Sequence, residues 1–96
     1  METKSEIISK LKEIKPFLYK EYSVKEIGLF GSFVNETNNE ESDIDILVEF
    51  EQSPGWRFFS LELYLEKIFG RKIDLVTKNA LKDQMKNIIL KQVNYI

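Results

Sequence analysis

A chain of 96 residues, 43% hydrophobic and 31% charged, has the length and composition of one globular domain. Cysteine and histidine are both absent, which excludes thiol nucleophiles, disulfides, Ser-His-Asp relays and zinc sites built on those ligands. The net charge of −2 and pI near 5.2 argue against direct nonspecific binding to nucleic acid; no apolar run nears the roughly 20 residues of a membrane span and no signal-peptide core is present, so a cytoplasmic chain without a membrane partner is expected.

Residues 4–22 carry Ile7, Ile8, Leu11, Ile14 and Leu18 at spacings of three and four, the pattern of an amphipathic helix. Pro16 within it predicts a kink near Ile14-Lys15 or a second helix beginning at Pro16. Val24–Phe30 reads as a strand ended by Gly31-Ser32. Asn35–Ser42 reads as a loop, entered after one short helical turn. Asp43–Phe50 alternates acid and aliphatic side chains as a two-faced strand does. Residues 52–55 form a turn by composition, and Arg57–Phe69 a helix stopped by Gly70. Lys72–Val76 is a further strand and Leu81–Val93 a last helix. That helix is expected to turn Leu81, Met85, Ile88, Ile89 and Val93 inward, with Lys78, Lys82 and Lys86 as a solvated stripe. The order predicts an α/β (α+β) domain spanning residues 1–96, with a mixed sheet of three to four strands and helices mainly on one side.

Charge is unevenly divided: residues 1–25 sum to +2, residues 26–66 to −9 and residues 67–96 to +5. Within the acidic block, Asp43 and Asp45 share one strand face about 6–7 Å apart, while Ile44 and Ile46 point to the core. Paired carboxylates repel, and a divalent cation such as magnesium is the natural counter-charge. Two ions ~3.5–4 Å apart would form the clamp used in phosphoryl transfer. Gly31 permits close backbone approach to a ligand, and Ser32 can donate to a phosphate oxygen. Asp74, an acid among the aliphatics of Lys72–Val76, needs a reason to be there. If its strand neighbours that of Asp45, three carboxylates meet at one end of the sheet.

Gly31-Ser32, ten residues, and then Asp43-Ile44-Asp45 resembles the signature of the DNA polymerase β-like nucleotidyltransferase superfamily. Ile27–Ser32, Ser42–Phe50, Gly70–Thr77 and the helix after Ala80 narrow the resemblance to the minimal nucleotidyltransferases, the MntA-type antitoxins usually encoded beside a HEPN-domain toxin. The resemblance covers roughly residues 5–96. It implies that Asp43 and Asp45 bind two magnesium ions with the nucleoside triphosphate. Asp74 would complete the inner metal and help activate the attacking hydroxyl, and Ser32 with the Gly31 backbone would hold a phosphate. The implied reaction moves AMP from ATP to a hydroxyl, a tyrosine of the HEPN toxin, and releases pyrophosphate.

One segment departs from the family pattern G-S-x-A-R-G: here Asn35 replaces the arginine and Glu36 the glycine. The exchange should weaken nucleotide binding, so a catalytically impaired antitoxin that acts by stoichiometric binding is the rival reading. A metal-stabilised structural domain is a third, lacking the further ligands and glycine of an EF-hand loop. With the chain ending at Ile96, the acceptor is expected to come from a partner protein or a second copy in a homo-oligomer. Trp56, Phe59 and Tyr64 are candidates for that interface, with Phe58 and Phe69 assigned to the core.

Overall fold

The computed structural model describes residues 3–35, 37–39 and 41–96; the expectations that fall on Glu36 lie outside them. Helix α1 (Lys4–Tyr22) starts where the Thr3 hydroxyl accepts the Glu6 N–H and donates to the Glu6 carboxylate, each at 3.2 Å. These contacts satisfy a helix-start donor that would otherwise lack a partner. It ends at Ser23, whose left-handed backbone (φ 58°) turns its N–H onto the Leu18 and Tyr19 carbonyls. The break expected at Pro16 does not occur: α1 is one helix through it. Pro16 is exposed and so is Lys12, one turn back, so water can take the place of the hydrogen bond that proline cannot make.

Strand β1 (Val24–Phe30) runs into a one-turn helix α2 (Ser32–Asn35), and β2 (Ile44–Phe50) returns antiparallel to β1. Helix α3 (Arg57–Phe69) then crosses over to β3 (Ile73–Thr77), which lies parallel to β2. Gly70 closes α3 in the left-handed conformation, φ 61°, as its position after the last apolar residue predicts. A single 3-10 turn (Lys78–Ala80) leads into α4 (Asp83–Gln92), and a short strand β4 (Asn94–Tyr95) pairs with β1. The sheet has four strands in the order β3-β2-β1-β4, mixed as expected.

Strand alternation divides the apolar residues between two layers. Ile27, Leu29, Ile44, Ile46, Ile73 and Leu75 face the main core with Ile7, Leu11 and Leu18 of α1 and Leu61, Leu65 and Phe69 of α3. The opposite faces of the strands present Phe30 and Leu47 to Ile89 of α4, with Val76, Leu81, Leu90 and Val93 alongside. Helices therefore lie mainly on one side, α4 alone covering the other. The strip available to α4 is narrow, and this corrects the inward assignment of Met85 and Ile88: they are 55% and 63% exposed. The lysine stripe is also modified. Lys82 is exposed, whereas Lys78 belongs to the 3-10 turn and is half-buried, as is Lys86. Gly28 has no side chain to obstruct the returning C-terminal segment, for a Cβ there would lie 2.6 Å from Val93 Cγ2.

Helix α3 offers a test with one residue type. Leu61 is fully buried and Leu63 is 65% exposed. Leu61→Ala should cost about 2–5 kcal/mol in urea denaturation and Leu63→Ala at most about 0.5 kcal/mol. Equal costs would show that α3 is rotated from this packing.

Candidate active site

The candidate site lies where β1 ends and β2 and β3 begin. Antiparallel pairing sets Phe30 opposite Asp45, and parallel pairing sets Asp45 opposite Asp74. Strand alternation sends Ile44 and Ile46 into the core and turns Asp45 to the other face. Asp43, assigned to the strand by its alternation with Ile44, stands one residue ahead of β2, at the same end. The structure thus gathers the three predicted carboxylates at one end of the sheet.

The turn after β1 closes over them. Gly31 has φ 77°, and its carbonyl accepts the N–H groups of Val34 at 3.1 Å and Asn35 at 3.0 Å. A Cβ on Gly31 would fall 2.1 Å from Asp45 Oδ2, so only glycine permits both the backbone angle and this approach. The Ser32 N–H donates to the Asp45 carboxyl. Beneath the turn, Phe33 is fully buried. The Arg71 guanidinium stands 5.4 Å from the Phe33 ring and donates at 2.8 Å to the carbonyl of Ser42, next to Asp43. Arg71 thus links the approaches to all three acids.

Burial pushes the Asp45 carboxyl up from 3.8 to about 6, aided by the charge of Asp74, a hydrogen bond to the Asp74 side chain and the charge of Asp43; the Ser32 N–H pulls the other way. A divalent cation would relieve this repulsion, and an all-carboxylate donor set suits magnesium. Among the described residues no three acidic side chains form a closed metal cage. Asp43 acts on Asp45 through its charge, and the contacting pair is Asp45 with Asp74. That arrangement fits magnesium, which takes one or two carboxylates and completes its shell with waters and substrate phosphates. A cavity of about 340 Å³ between Val48–Pro54 and Thr77–Asn79 lies at the other end of β2, away from Asp45 and Asp74.

Sequence reasoning missed Gln92. Its Oε1 accepts the Gly31 N–H at 3.2 Å and the Asn35 Nδ2 at 3.4 Å. A glutamine near the end of an amphipathic helix carries no local signal; only the fold brings it to Gly31.

A family model described as the nucleotidyltransferase domain matches residues 8–96. The chain belongs to the nucleotidyltransferase domain family. Among its relatives, the protein adenylyltransferase MntA of Thermococcus cleftensis is 43% identical over 97 residues, spanning 100% of this chain and 98% of that protein. A solved structure provisionally described as a minimal nucleotidyltransferase shares the fold at TM-score 0.83 and 21% identity, covering 97% of this chain and 95% of that one. A third, the AMPylated Shewanella oneidensis HEPN toxin in complex with MNT antitoxin, gives TM-score 0.59 at 22% identity, covering 96% of this chain and 66% of that one. The predicted fold class and family are both met. In this nucleotidyltransferase, Gly31-Ser32, Asp45 and Asp74 lie together at one end of the sheet, where β3 neighbours β2.

The raised carboxyl gives a pH test. A group whose folded value is raised stabilises the fold in its protonated form; the contribution is full below about pH 4 and is lost as pH rises through about 6. In metal-free buffer the loss should be on the order of 1 kcal/mol, discounted because Asp45 is only half-buried. Thermal melts from pH 4 to about 7 should show this component in the wild type and not in Asp45→Asn. Parallel curves would sink the assignment.

Proposed function

We propose that this nucleotidyltransferase transfers AMP from ATP to a hydroxyl of a partner protein, a tyrosine of a HEPN-domain toxin, and so acts as the antitoxin of a toxin–antitoxin pair. The observation that carries the chemistry is the Asp45–Asp74 pair under the Gly31-Ser32 turn. The protein acceptor is supported by the near full-length relative named a protein adenylyltransferase. The toxin is supported by the fold shared with a chain of the complex between an AMPylated HEPN toxin and MNT antitoxin.

Asp43, Asp45 and Asp74 would hold the magnesium. When bound, the metal supplies the positive charge that offsets the triphosphate and the leaving pyrophosphate. Ser32 and the turn backbone orient the phosphates. The acceptor oxygen bonds to the α-phosphorus as the bond to the β-phosphate oxygen breaks, and pyrophosphate departs. The hydroxyl proton passes to Asp74, which is exposed and so open to an incoming protein, whereas Asp45 is drawn under the turn.

One minimal domain, residues 1–96, supplies this machinery, with the acceptor brought by the partner. Exposed aromatics on α3 support the protein partner. Trp56 and Phe59 are 86% and 58% exposed, with Leu63 one turn further along α3. Tyr64 instead packs half-buried against Phe17 and Tyr22 in the seam between α1 and α3. Exposed aromatics with fixed neighbours suit a protein interface.

Two measurements test the reading. Asp43→Asn with Asp45→Asn should leave the fold intact and abolish magnesium-dependent ATP binding in calorimetry; equal affinity in wild type and variant would remove the catalytic role. Incubation with the toxin, ATP and magnesium should add adenylate masses of about 329 Da to the toxin. Asp74→Asn should stop the transfer and the neutralisation while the complex still forms. Full neutralisation by Asp74→Asn, with no mass added by wild type, would establish the binding-only antitoxin instead.

A further inference from the structure

We propose that Gln92 is a positioning residue for this reaction, its side-chain carbonyl fixing the Gly31–Asn35 turn that faces the nucleotide. The assignment rests on the reading that Gly31 and Ser32 receive the triphosphate. One oxygen, Gln92 Oε1, takes the N–H that enters the turn, Gly31 at 3.2 Å, and the side-chain amide that ends it, Asn35 at 3.4 Å. Gly31 carries no side chain to pack and adopts many backbone conformations freely, so the bond from its N–H to Gln92 helps select the left-handed one. Gln92 is the last residue of α4, and Ile89, one turn earlier, packs on Phe30 and Leu47. Those two side chains belong to the strands that deliver Gly31 and Asp45. The turn is therefore held to the same two strands from both of its ends.

The chemistry of the tether suits its place. An amide oxygen accepts two hydrogen bonds without adding a negative charge beside the carboxylates and a triphosphate, which a glutamate would do. The tether also gives Asn35 a role. Where the family pattern has arginine, this chain has a short amide that reaches Gln92, so the departure binds the turn to α4 instead of leaving a vacant phosphate contact. Asn35→Arg should accordingly fail to tighten MgATP binding.

The test uses the full chain, with MgATP as the probe and the Gly31 amide as a reporter independent of activity. In nitrogen–proton spectra, Gln92→Ala should speed Gly31 amide exchange about tenfold while melting stays within a few degrees of wild type. MgATP affinity should fall about tenfold, as for loss of a site-ordering contact. Gln92→Glu should keep Gly31 protected yet still weaken MgATP binding through its charge. Asn35→Ala, at an exposed position, should weaken MgATP binding severalfold and so gives a second route if Gln92→Ala unfolds. Lys91→Ala, beside Gln92 but exposed, should change neither readout. An unchanged Gly31 amide and unchanged affinity in Gln92→Ala, with wild type binding MgATP, overturns this assignment alone. A wild type that binds no MgATP overturns the proposed function and this assignment with it.

Discussion

Everything at the site depends on the parallel pairing that sets Asp45 directly opposite Asp74. Two carboxylates at one rung of a sheet are unfavourable, and the Asp45 carboxyl is raised first by its burial and then by the charge of Asp74. The arrangement persists because the same strands are held by their other faces. Ile44 and Ile46, flanking Asp45, are fully buried, and Ile73 and Leu75, flanking Asp74, are nearly so. With a side-chain period of two, the register cannot slip by one residue to separate the acids without turning those aliphatics out of the core. Burial of the apolar rows thus fixes the carboxylates where their own repulsion would not.

The turn above the acids is built by a different means. Gly31 gives up side-chain packing to approach Asp45, and what holds it is polar: the Ser32 N–H on Asp45, the Gly31 carbonyl capping α2, and Gln92 on the Gly31 N–H. Phe33 and Val34 add apolar anchors, and Arg71, over the Phe33 ring, ties the turn to the segments before Asp43 and Asp74. Hydrogen bonds thus do for the turn what apolar burial does for the sheet end beneath it.

Legibility in the sequence followed the range of the forces involved. Helices α1 and α3, strands β1 to β3 and the Gly70 stop were readable because each depends on local periodicity or one residue's backbone preference. The mixed sheet and the Asp45–Asp74 meeting were readable as a consequence, once β3 was placed beside β2. What was not readable depended on tertiary competition. Pro16 fails to break α1 because the lost bond falls on the solvent side. Met85 and Ile88 match an inward stripe in α4, but the second sheet face has room for little more than Ile89 and its neighbours. Strand β4 has two residues and no signal of its own, and Gln92 acts across a separation of 61 residues.

The two sheet faces also separate the carboxylates from the exposed aromatics. Asp45 and Asp74 lie on the face opposite the α1–α3 core, at the end where β2 begins, whereas Trp56, Phe59 and Leu63 ride on the outer side of α3. The buried stripe of α3 already meets the core through Leu61, Leu65 and Phe69, and the second apolar stripe lies outside it. Its rings connect to the sheet: Phe50 contacts Phe58, Phe58 contacts Phe59, and Phe59 contacts Trp56, in a chain from strand β2 to the surface. Fixing aromatic side chains before contact lowers the conformational entropy lost on binding. A protein held by this surface would rest on the core layer that also fixes the carboxylate register, so docking and chemistry would share one frame, to which Gln92 ties the Gly31 turn as well.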